Sequence, residues 1–226
     1  MVRGCVYPLT DVATEERWVR LLRKVGCDKT KLFVSGGDGL KSEGMPLLFE
    51  SIPDRECIPY VSVVSWLGFH FNPSGFMFRS VRAKEFHIWK GVDSGLIFYV
   101  ANIFDANYAS FRYGQPIVAL EGVLDAEGFV AMTGYPFVIA YLSSGMSPYL
   151  AAFVSSLTDK VLLVPDNDEA GRKGADRTEK YLHKFGVGAY RHIVSKYKDF
   201  GDVLENSDAQ EAQAAGLALN VLGVGL

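Results

Sequence analysis

From residue 116 onward the sequence alternates short apolar runs with segments of helical spacing, and this alternation restricts the possible folds more than any other feature. The apolar runs occupy residues 116–120, 136–142, 161–164 and 190–194. Strands that are apolar along their whole length are typically buried on both faces. Strands that alternate with helices along the chain are typical of a parallel sheet covered by helices. The predicted fold class is therefore α/β, with a parallel sheet flanked by helices.

Helix signals fill the intervals between these runs. Residues 122–132 have a helix-like pattern, and Ser147 is a predicted N-cap followed by Pro148 at the first helical position. A further helix is predicted over residues 170–185, with Gly186 as its stop signal. Its predicted inner side contains Ala170, Gly174, Thr178, Leu182 and Phe185.

The chain before residue 112 has a different pattern. Residues 11–25 have helical spacing, and residues 30–58 are rich in Gly and Pro and are predicted to be irregular. Apolar segments separated by short turns then predict antiparallel strands. These segments are residues 58–71, 76–81, 86–89 and 96–100. This part of the chain is therefore expected to be mixed α+β and rich in strands.

Acidic residues follow three of the predicted parallel strands where each strand ends. They are Glu121 after residues 116–120, Asp166 and Asp168 after residues 161–164, and Asp199 and Asp202 after residues 190–194. Because the carboxyl ends of parallel strands share one edge of the sheet, we expect these acids to converge. Pro165 is interpreted as ending its strand so that both following acids face a bound ion. Asp125 lies four residues after Glu121 and is predicted on the same helix face.

Such a cluster of like charges needs a cation or protons to be stable. Mg²⁺ is suited to it, because this ion prefers carboxylate oxygens and bridges substrate phosphates. Two such ions can stabilise the attacking and leaving oxygens of a phosphoryl transfer. Each acid taken alone is explained equally well by a helix N-terminus or a surface turn. Their joint placement at successive strand ends favours a metal site.

Composition excludes several classes of protein. The net charge of −3 gives no overall basic signal for nucleic acid, although residues 1–115 carry +2 and residues 116–226 carry −5. The three cysteines form no CxxC pair, so neither a structural zinc site nor a disulfide framework is predicted. No apolar run is long enough to span a membrane, and a cytoplasmic protein is expected.

Four segments, taken in order and with their spacing, resemble the Toprim domain of bacterial- and phage-type DNA primases across about residues 112–205. They are LEGVLD (120–125), LSSGMSPYL (142–150), VLLVPDNDEAGRKGADR (161–177) and KDFGDVL (198–204). Two earlier segments, 69–86 and 94–103, are similar to the primase subdomain that precedes Toprim. The resemblance implies a Toprim-type parallel sheet over 112–205. It also implies a smaller mixed α+β, β-rich subdomain over 1–111, and a helical tail over 206–226.

The resemblance further implies a primase catalytic core, a DNA-directed RNA polymerase and nucleotidyltransferase that makes short RNA primers on single-stranded DNA. Its substrates would be ribonucleoside triphosphates, and its cofactors two or more Mg²⁺ or Mn²⁺ ions. Glu121, Asp166 and Asp168 would be catalytic and would bind metal. Three further acids would assist at the metals: Asp125, Asp199 and Asp202. Four basic residues would contact nucleic acid or triphosphate: Arg79, Arg82, Lys84 and Lys90.

Some features depart from the family pattern. Val123 stands where these primases usually have an aromatic residue, and Asp199 and Asp202 are one residue further apart than usual. Neither a zinc-binding module nor a helicase-binding domain is evident, so we expect a minimal viral-type primase or the core of something longer. Its partners would include a separate zinc-binding module and a replicative helicase, in a bacterial cell or a phage-infected host. Three alternatives stay open: a Toprim nuclease, topoisomerase-related phosphodiester cleavage, and a non-catalytic replication or recombination adaptor.

Overall fold

The computed structural model describes residues 97–101 and 114–223 with their side chains, and four earlier strands as backbone. These strands are β1 (Phe33–Ser35), β2 (Arg55–Ser62), β3 (Gly75–Ser80) and β4 (Phe86–Ile88). All their pairings are antiparallel: β1 with β2, β2 with β3, and β3 with β4. The antiparallel pairing predicted from the short turns is found between β2, β3 and β4. The predicted helix 11–25 lies outside the described residues.

Two boundaries in this part differ from the prediction. Residues 30–58 were expected to be irregular, but β1 and the first residues of β2 lie within them. β2 begins at Arg55, three residues before the apolar run, because Arg55 and Glu56 pair with β3 in an unbroken register. Backbone pairing does not require an apolar side chain, so hydrophobicity alone placed this strand too late.

The second part of the chain forms a five-strand, mostly parallel sheet. Its strands are β5 (Ile97–Val100), β6 (Ile117–Leu120), β7 (Val138–Ala140), β8 (Lys160–Val164) and β9 (Gly188–Arg191). The order across the sheet is β5-β7-β6-β8-β9, with β5 also paired to β2. Strands β6, β7, β8 and β9 run parallel, whereas β5 is antiparallel to β7. The predicted parallel sheet is confirmed for these four strands.

Five helices cover the two faces of this sheet. They are α1 (Val123–Thr133), α2 (Pro148–Ser155), α3 (Glu169–Lys184), α4 (Phe200–Asn206) and α5 (Ala209–Val221). Successive residues of a strand point to opposite faces. Thus Val118 and Leu120 share a core with α1, α4 and α5, while Ile117 and Ala119 share one with α2 and α3. Apolar residues at every position of β6 are explained by burial on both sides. No helix among residues 114–223 is long and apolar enough to cross a membrane.

Two predicted elements are displaced. The last strand was placed at 190–194 but is β9, because Gly188 pairs with Lys160 and the chain leaves the sheet after Arg191. As an edge strand it needs no continuous apolar run, and Tyr190 is 44% exposed. The prediction of which residues of α3 are buried was also partly wrong. Ala170 and Phe185 are exposed, and the buried residues are Gly171, Gly174, Ala175, Thr178 and Leu182.

Candidate metal site at the carboxyl edge of the sheet

Strand pairing places Glu121 and the two aspartates after β8 at neighbouring points of one sheet edge. Strands β6 and β8 are adjacent and parallel, and their last residues, Leu120 and Val164, are paired in register. Glu121 therefore leaves the sheet beside Pro165. Pro165 has no N–H to extend the ladder, so β8 ends at Val164 and the chain turns toward the next helix. The strand register thus brings the backbones of Glu121 and of the segment with Asp166 and Asp168 to the same edge of the sheet.

Asp168 is held by the start of α3. It is the N-cap residue, and its Oδ1 accepts a hydrogen bond from the N–H of Gly171 at 2.8 Å. This bond, together with the neighbouring Lys198 ammonium, lowers the pKa of Asp168. Position 171 has no room for a side chain, since a Cβ there would lie 2.3 Å from the carbonyl oxygen of Asp166. The DNDEAG segment therefore brings the N-terminus of α3 close against the chain that carries Asp166.

Glu121 is strongly affected by its neighbours. Burial, followed by the charges of Asp166 and Asp168, raises its pKa to about 7, and the nearby Lys198 only partly opposes this. A carboxyl group with such a pKa is incompletely ionised near neutrality. The raised pKa indicates that the negative charges at this edge act on one another. A cation at the edge would relieve their repulsion.

Asp125 joins two helices. Its Oδ2 accepts a hydrogen bond from the N–H of Gly122 at 3.1 Å, and its Oδ1 accepts one from the N–H of Gly201 at 2.8 Å. It thereby connects the start of α1 to the start of α4. Burial, and then the charge of Asp199, raise the pKa of Asp125. The expectation that Glu121 and Asp125 share a helix face was wrong, because the N-cap of α1 is Gly122 and Glu121 precedes the helix.

Asp199 and Asp202 lie at the N-terminus of α4. Asp199 is the N-cap of α4, and its Oδ1 accepts a hydrogen bond from the N–H of Asp202 at 2.8 Å. Oδ2 of Asp202 accepts one from the backbone N–H of Lys198 at 3.2 Å. The three-residue spacing of the two aspartates is therefore that of an N-cap and the third residue of a helix.

Sequence reasoning missed one charged residue at this edge. Nζ of Lys198 donates to Oδ2 of Asp166 at 3.0 Å and lies 3.4 Å from Oδ2 of Asp168. These contacts raise the pKa of Lys198. The lysine directly precedes Asp199, in a segment already selected for its acids. Lys198 could have been selected from the sequence because it is a basic residue inside a motif of acidic residues.

The loop after β7 contacts both Glu121 and α3. The N–H of Leu142 donates to the carbonyl oxygen of Glu121 at 3.0 Å. The guanidinium of Arg177 donates to Oγ of Ser144 at 3.1 Å, and the N–H of Met146 donates to Oγ1 of Thr178 at 2.9 Å. This small-residue loop therefore connects the backbone at Glu121 to the helix that begins at Asp168.

The oxygen ligands available at this edge of the sheet fit a hard divalent cation such as Mg²⁺. Glu121, Asp166 and Asp168 offer carboxylate oxygens, and the cationic head of Lys198 already lies against two of them. In the described part of the chain, no three His, Cys, Asp or Glu side chains converge closely enough to form a metal-binding group. Mg²⁺ does not require such a cage, since it is commonly held by one or two carboxylates and retains several waters.

The basic residues predicted to contact nucleic acid are not part of this edge as described. Arg79 lies in β3, where its backbone is opposite Glu56 of β2 and Phe86 of β4. The other three, Arg82, Lys84 and Lys90, lie outside the described residues. Their predicted roles stay predictions.

Comparisons with known proteins agree with the α/β fold of this part of the chain. Residues 118–204 match the family described as Toprim-like, and this segment contains Glu121, Asp166, Asp168 and Asp199. The chain therefore carries a Toprim-like segment that begins in β6 and ends in α4. A family of this kind implies the use of a divalent metal.

The wider similarity is to DNA primases. A DNA primase of Campylobacter jejuni is 28% identical over 117 residues, which make up 52% of this chain and 19% of that protein. The solved DnaG catalytic core shares the fold with a TM-score of 0.65 at 14% identity, covering 90% of this chain and 73% of that one. A DnaG primase catalytic domain bound to single-stranded DNA gives 0.64 at 14% identity, covering 88% and 70%. The chain is therefore similar in sequence to part of a DNA primase and shares the fold of the DnaG catalytic core.

Proposed function

We propose that this chain is the catalytic core of a DNA primase, which synthesises short RNA primers on single-stranded DNA. The observation that carries the proposal is the placement of Glu121, Asp166 and Asp168 at the paired ends of β6 and β8, inside the Toprim-like segment. Joining nucleotides requires little covalent chemistry from a protein, and catalysis depends on positioning and charge neutralisation. An edge that concentrates carboxylates on rigid strand ends is suited to that task.

Glu121, Asp166 and Asp168 would hold two or more Mg²⁺ or Mn²⁺ ions. When bound, such ions supply neutralisation of the charge that develops on the reacting phosphate. Asp125, Asp199 and Asp202 would assist directly or through water. Their present hydrogen bonds support this role, because they hold the starts of α1 and α4 against the edge.

The remaining parts of the chain would serve the template and the nucleotides. The proposed organisation is a smaller β-rich, mixed α+β subdomain over 1–111, a Toprim-type subdomain over 112–205 and a helical tail over 206–226. Basic residues of the first subdomain would bind backbone phosphates and ribonucleoside triphosphates: Arg79, Arg82, Lys84 and Lys90. The solved structure of a DnaG primase catalytic domain bound to single-stranded DNA, which shares this fold, supports such a template.

Further partners follow from the same proposal. The matched residues make up 19% of the Campylobacter jejuni relative, so this chain spans only part of that protein's length. A separate zinc-binding module and a replicative helicase are proposed as partners. The proposed location is the cytoplasm of a bacterial cell or of a phage-infected host.

The same acids would also suit a Toprim nuclease, which cuts a phosphodiester instead of forming one. The two functions differ in their products, so one assay separates them. The chain is incubated with single-stranded DNA and labelled ribonucleotides in one sample, and with labelled single-stranded DNA in another, each in Mg²⁺ or Mn²⁺. We expect short RNA oligomers from the wild type and none from the Asp166→Asn, Asp168→Asn double variant.

Glu169→Gln provides the matched control, because Glu169 is an exposed acid next to Asp168 that pairs with Lys173 at 2.6 Å. It should retain wild-type synthesis. Shortened DNA without oligomers would favour the nuclease. Wild-type activity in the double variant would exclude the proposed site. Template binding without any chemistry, unchanged in the double variant, would favour the non-catalytic adaptor.

A further inference from the structure

One lysine ammonium lies between the two aspartates that follow β8. Nζ of Lys198 is 3.0 Å from Oδ2 of Asp166 and 3.4 Å from Oδ2 of Asp168. Within residues 97–101 and 114–223, no other Lys, Arg or His forms an ion pair with either aspartate. A single positive charge thus offsets part of two negative charges at the place where a metal ion is proposed to bind.

The backbone of Lys198 is anchored beside these acids. Its carbonyl oxygen accepts a hydrogen bond from the N–H of Asn167, the residue between the two aspartates. Its own N–H donates to Oδ2 of Asp202 at 3.2 Å. The side-chain amide of Asn167 also donates to the carbonyl oxygen of Val194 at 3.0 Å, which ties the same two segments together. The fold therefore delivers the ammonium to the acids through a fixed backbone position.

The lysine side chain nevertheless has room to move away. It is 56% exposed, whereas the side chain of Asp166 is only 16% exposed. A carboxylate that has lost most of its hydration needs a nearby cation. A divalent ion at these oxygens and an ammonium 3.0 Å from them would repel each other. Binding of the metal would therefore require the Lys198 head to leave the two aspartates.

We propose that Lys198 is an internal counter-ion that competes with the divalent cation for Asp166 and Asp168, and so sets the metal affinity of the site. In the metal-free protein it stabilises the two acids. When the metal binds, the ammonium is displaced toward solvent. This inference rests on the proposed function, because it treats the two aspartates as metal ligands.

The test measures Mn²⁺ binding to the full chain by electron paramagnetic resonance, without nucleotide or DNA. Lys198→Met removes the charge and keeps most of the aliphatic stem, so we expect its Kd for Mn²⁺ to be about tenfold lower than that of the wild type. Lys198→Arg keeps the charge and should bind Mn²⁺ like the wild type. Lys196→Met is the matched control, because Lys196 lies in the same loop and pairs with Asp208 at 3.0 Å. This control should also bind like the wild type.

An unchanged or higher Kd in Lys198→Met overturns the inference. If the Asp166→Asn, Asp168→Asn double variant still loses Mn²⁺ binding in that case, the proposed metal site itself is retained. If the wild type and the double variant bind Mn²⁺ equally, both the inference and the metal site fail. Lys198→Gln gives the same comparison if the Met variant does not fold.

Discussion

At the scale of single residues, the ionisation of Glu121 depends strongly on its surroundings. Burial and the charges of Asp166 and Asp168 raise its pKa from 4.5 to about 7. Below pH 4.5 the carboxyl group is protonated in both the folded and the unfolded chain. Between 4.5 and 7 the folded chain still holds the proton, whereas the unfolded chain has released it. The free energy of unfolding therefore falls as pH rises through this window.

Glu121→Gln should reduce this loss of stability in the metal-free protein. The substitution should make the difference in unfolding free energy between pH 5 and pH 8 smaller by about 1–2 kcal/mol. This is well below what the full shift in pKa would imply, because Glu121 is only about half buried. The measurement is urea unfolding at pH 5 and pH 8 in the presence of a chelator. A smaller pH dependence should persist, since the pKa of Asp125 is raised as well.

Glu169→Gln is the control for this experiment, because Glu169 lies on the exposed first turn of α3. It should leave the difference in unfolding free energy between pH 5 and pH 8 unchanged. If Glu121→Gln behaves in the same way, the charge interaction between Glu121 and the two aspartates is absent.

At the scale of elements, the close approach of α3 to the loop after β7 depends on one glycine. A Cβ at Gly174 would lie 1.5 Å from the carbonyl oxygen of Ser144 and 2.7 Å from its carbonyl carbon. These are backbone atoms, so they cannot give way by a rotamer change. Thr178, one turn further along α3, accepts the hydrogen bond of Met146 in the same loop. A side chain at position 174 would force the helix and the loop apart.

Gly174→Ala should therefore lower the free energy of unfolding by about 1–3 kcal/mol, although alanine is the better helix former. Gly128→Ala in α1 is the matched control. A Cβ at Gly128 would lie 3.3 Å from Cβ of Leu204, so the two helices need to separate by only a few tenths of an ångström. We expect its effect on stability to be within about 1 kcal/mol of zero. Equal effects of the two variants, measured by urea unfolding, would contradict the proposed backbone contact.

At the scale of the whole molecule, the group of acidic residues at the carboxyl edge of the sheet is assembled from segments far apart in the chain. Asp125 accepts its hydrogen bond from Gly201 across 76 residues, and Lys198 reaches Asp166 across 32. A ligand bound at this edge interacts with the folded chain and not with the unfolded one. Binding of a divalent ion should therefore stabilise the whole fold.

At a hundredfold excess over its Kd, Mn²⁺ should stabilise the wild-type chain by about 2.7 kcal/mol and raise its Tm by about 5–10 °C. The measurement is thermal unfolding with Mn²⁺ and with a chelator. The Asp166→Asn, Asp168→Asn double variant should lose this shift. Glu169→Gln should retain it, because Glu169 is an exposed neighbour of Asp168 that pairs with Lys173. An equal shift in the double variant would place the metal elsewhere.

Local chemistry predicted much of the second half of the chain. Ser147 caps α2 through the N–H of Leu150 at 3.1 Å, and Pro148 is its first residue, as the Ser-Pro pair indicated. Pro165 ends β8 where the apolar run stops. The edge strand β9 and the short helix α4 were less accessible to prediction. An edge strand lacks a continuous apolar run, and seven residues leave little periodicity to detect.

The sequence by itself determined the strand–helix alternation, the ends of the strands and the acids that follow them. These features depend on neighbouring residues, through hydrophobic periodicity, capping and the missing N–H of proline. Only the tertiary structure decided that Lys198 bridges Asp166 and Asp168, and that Asp125 holds the start of α4. Those contacts depend on the order β7-β6-β8 and on the register that pairs Leu120 with Val164. Strand order and register arise from packing between distant segments, which no local pattern encodes.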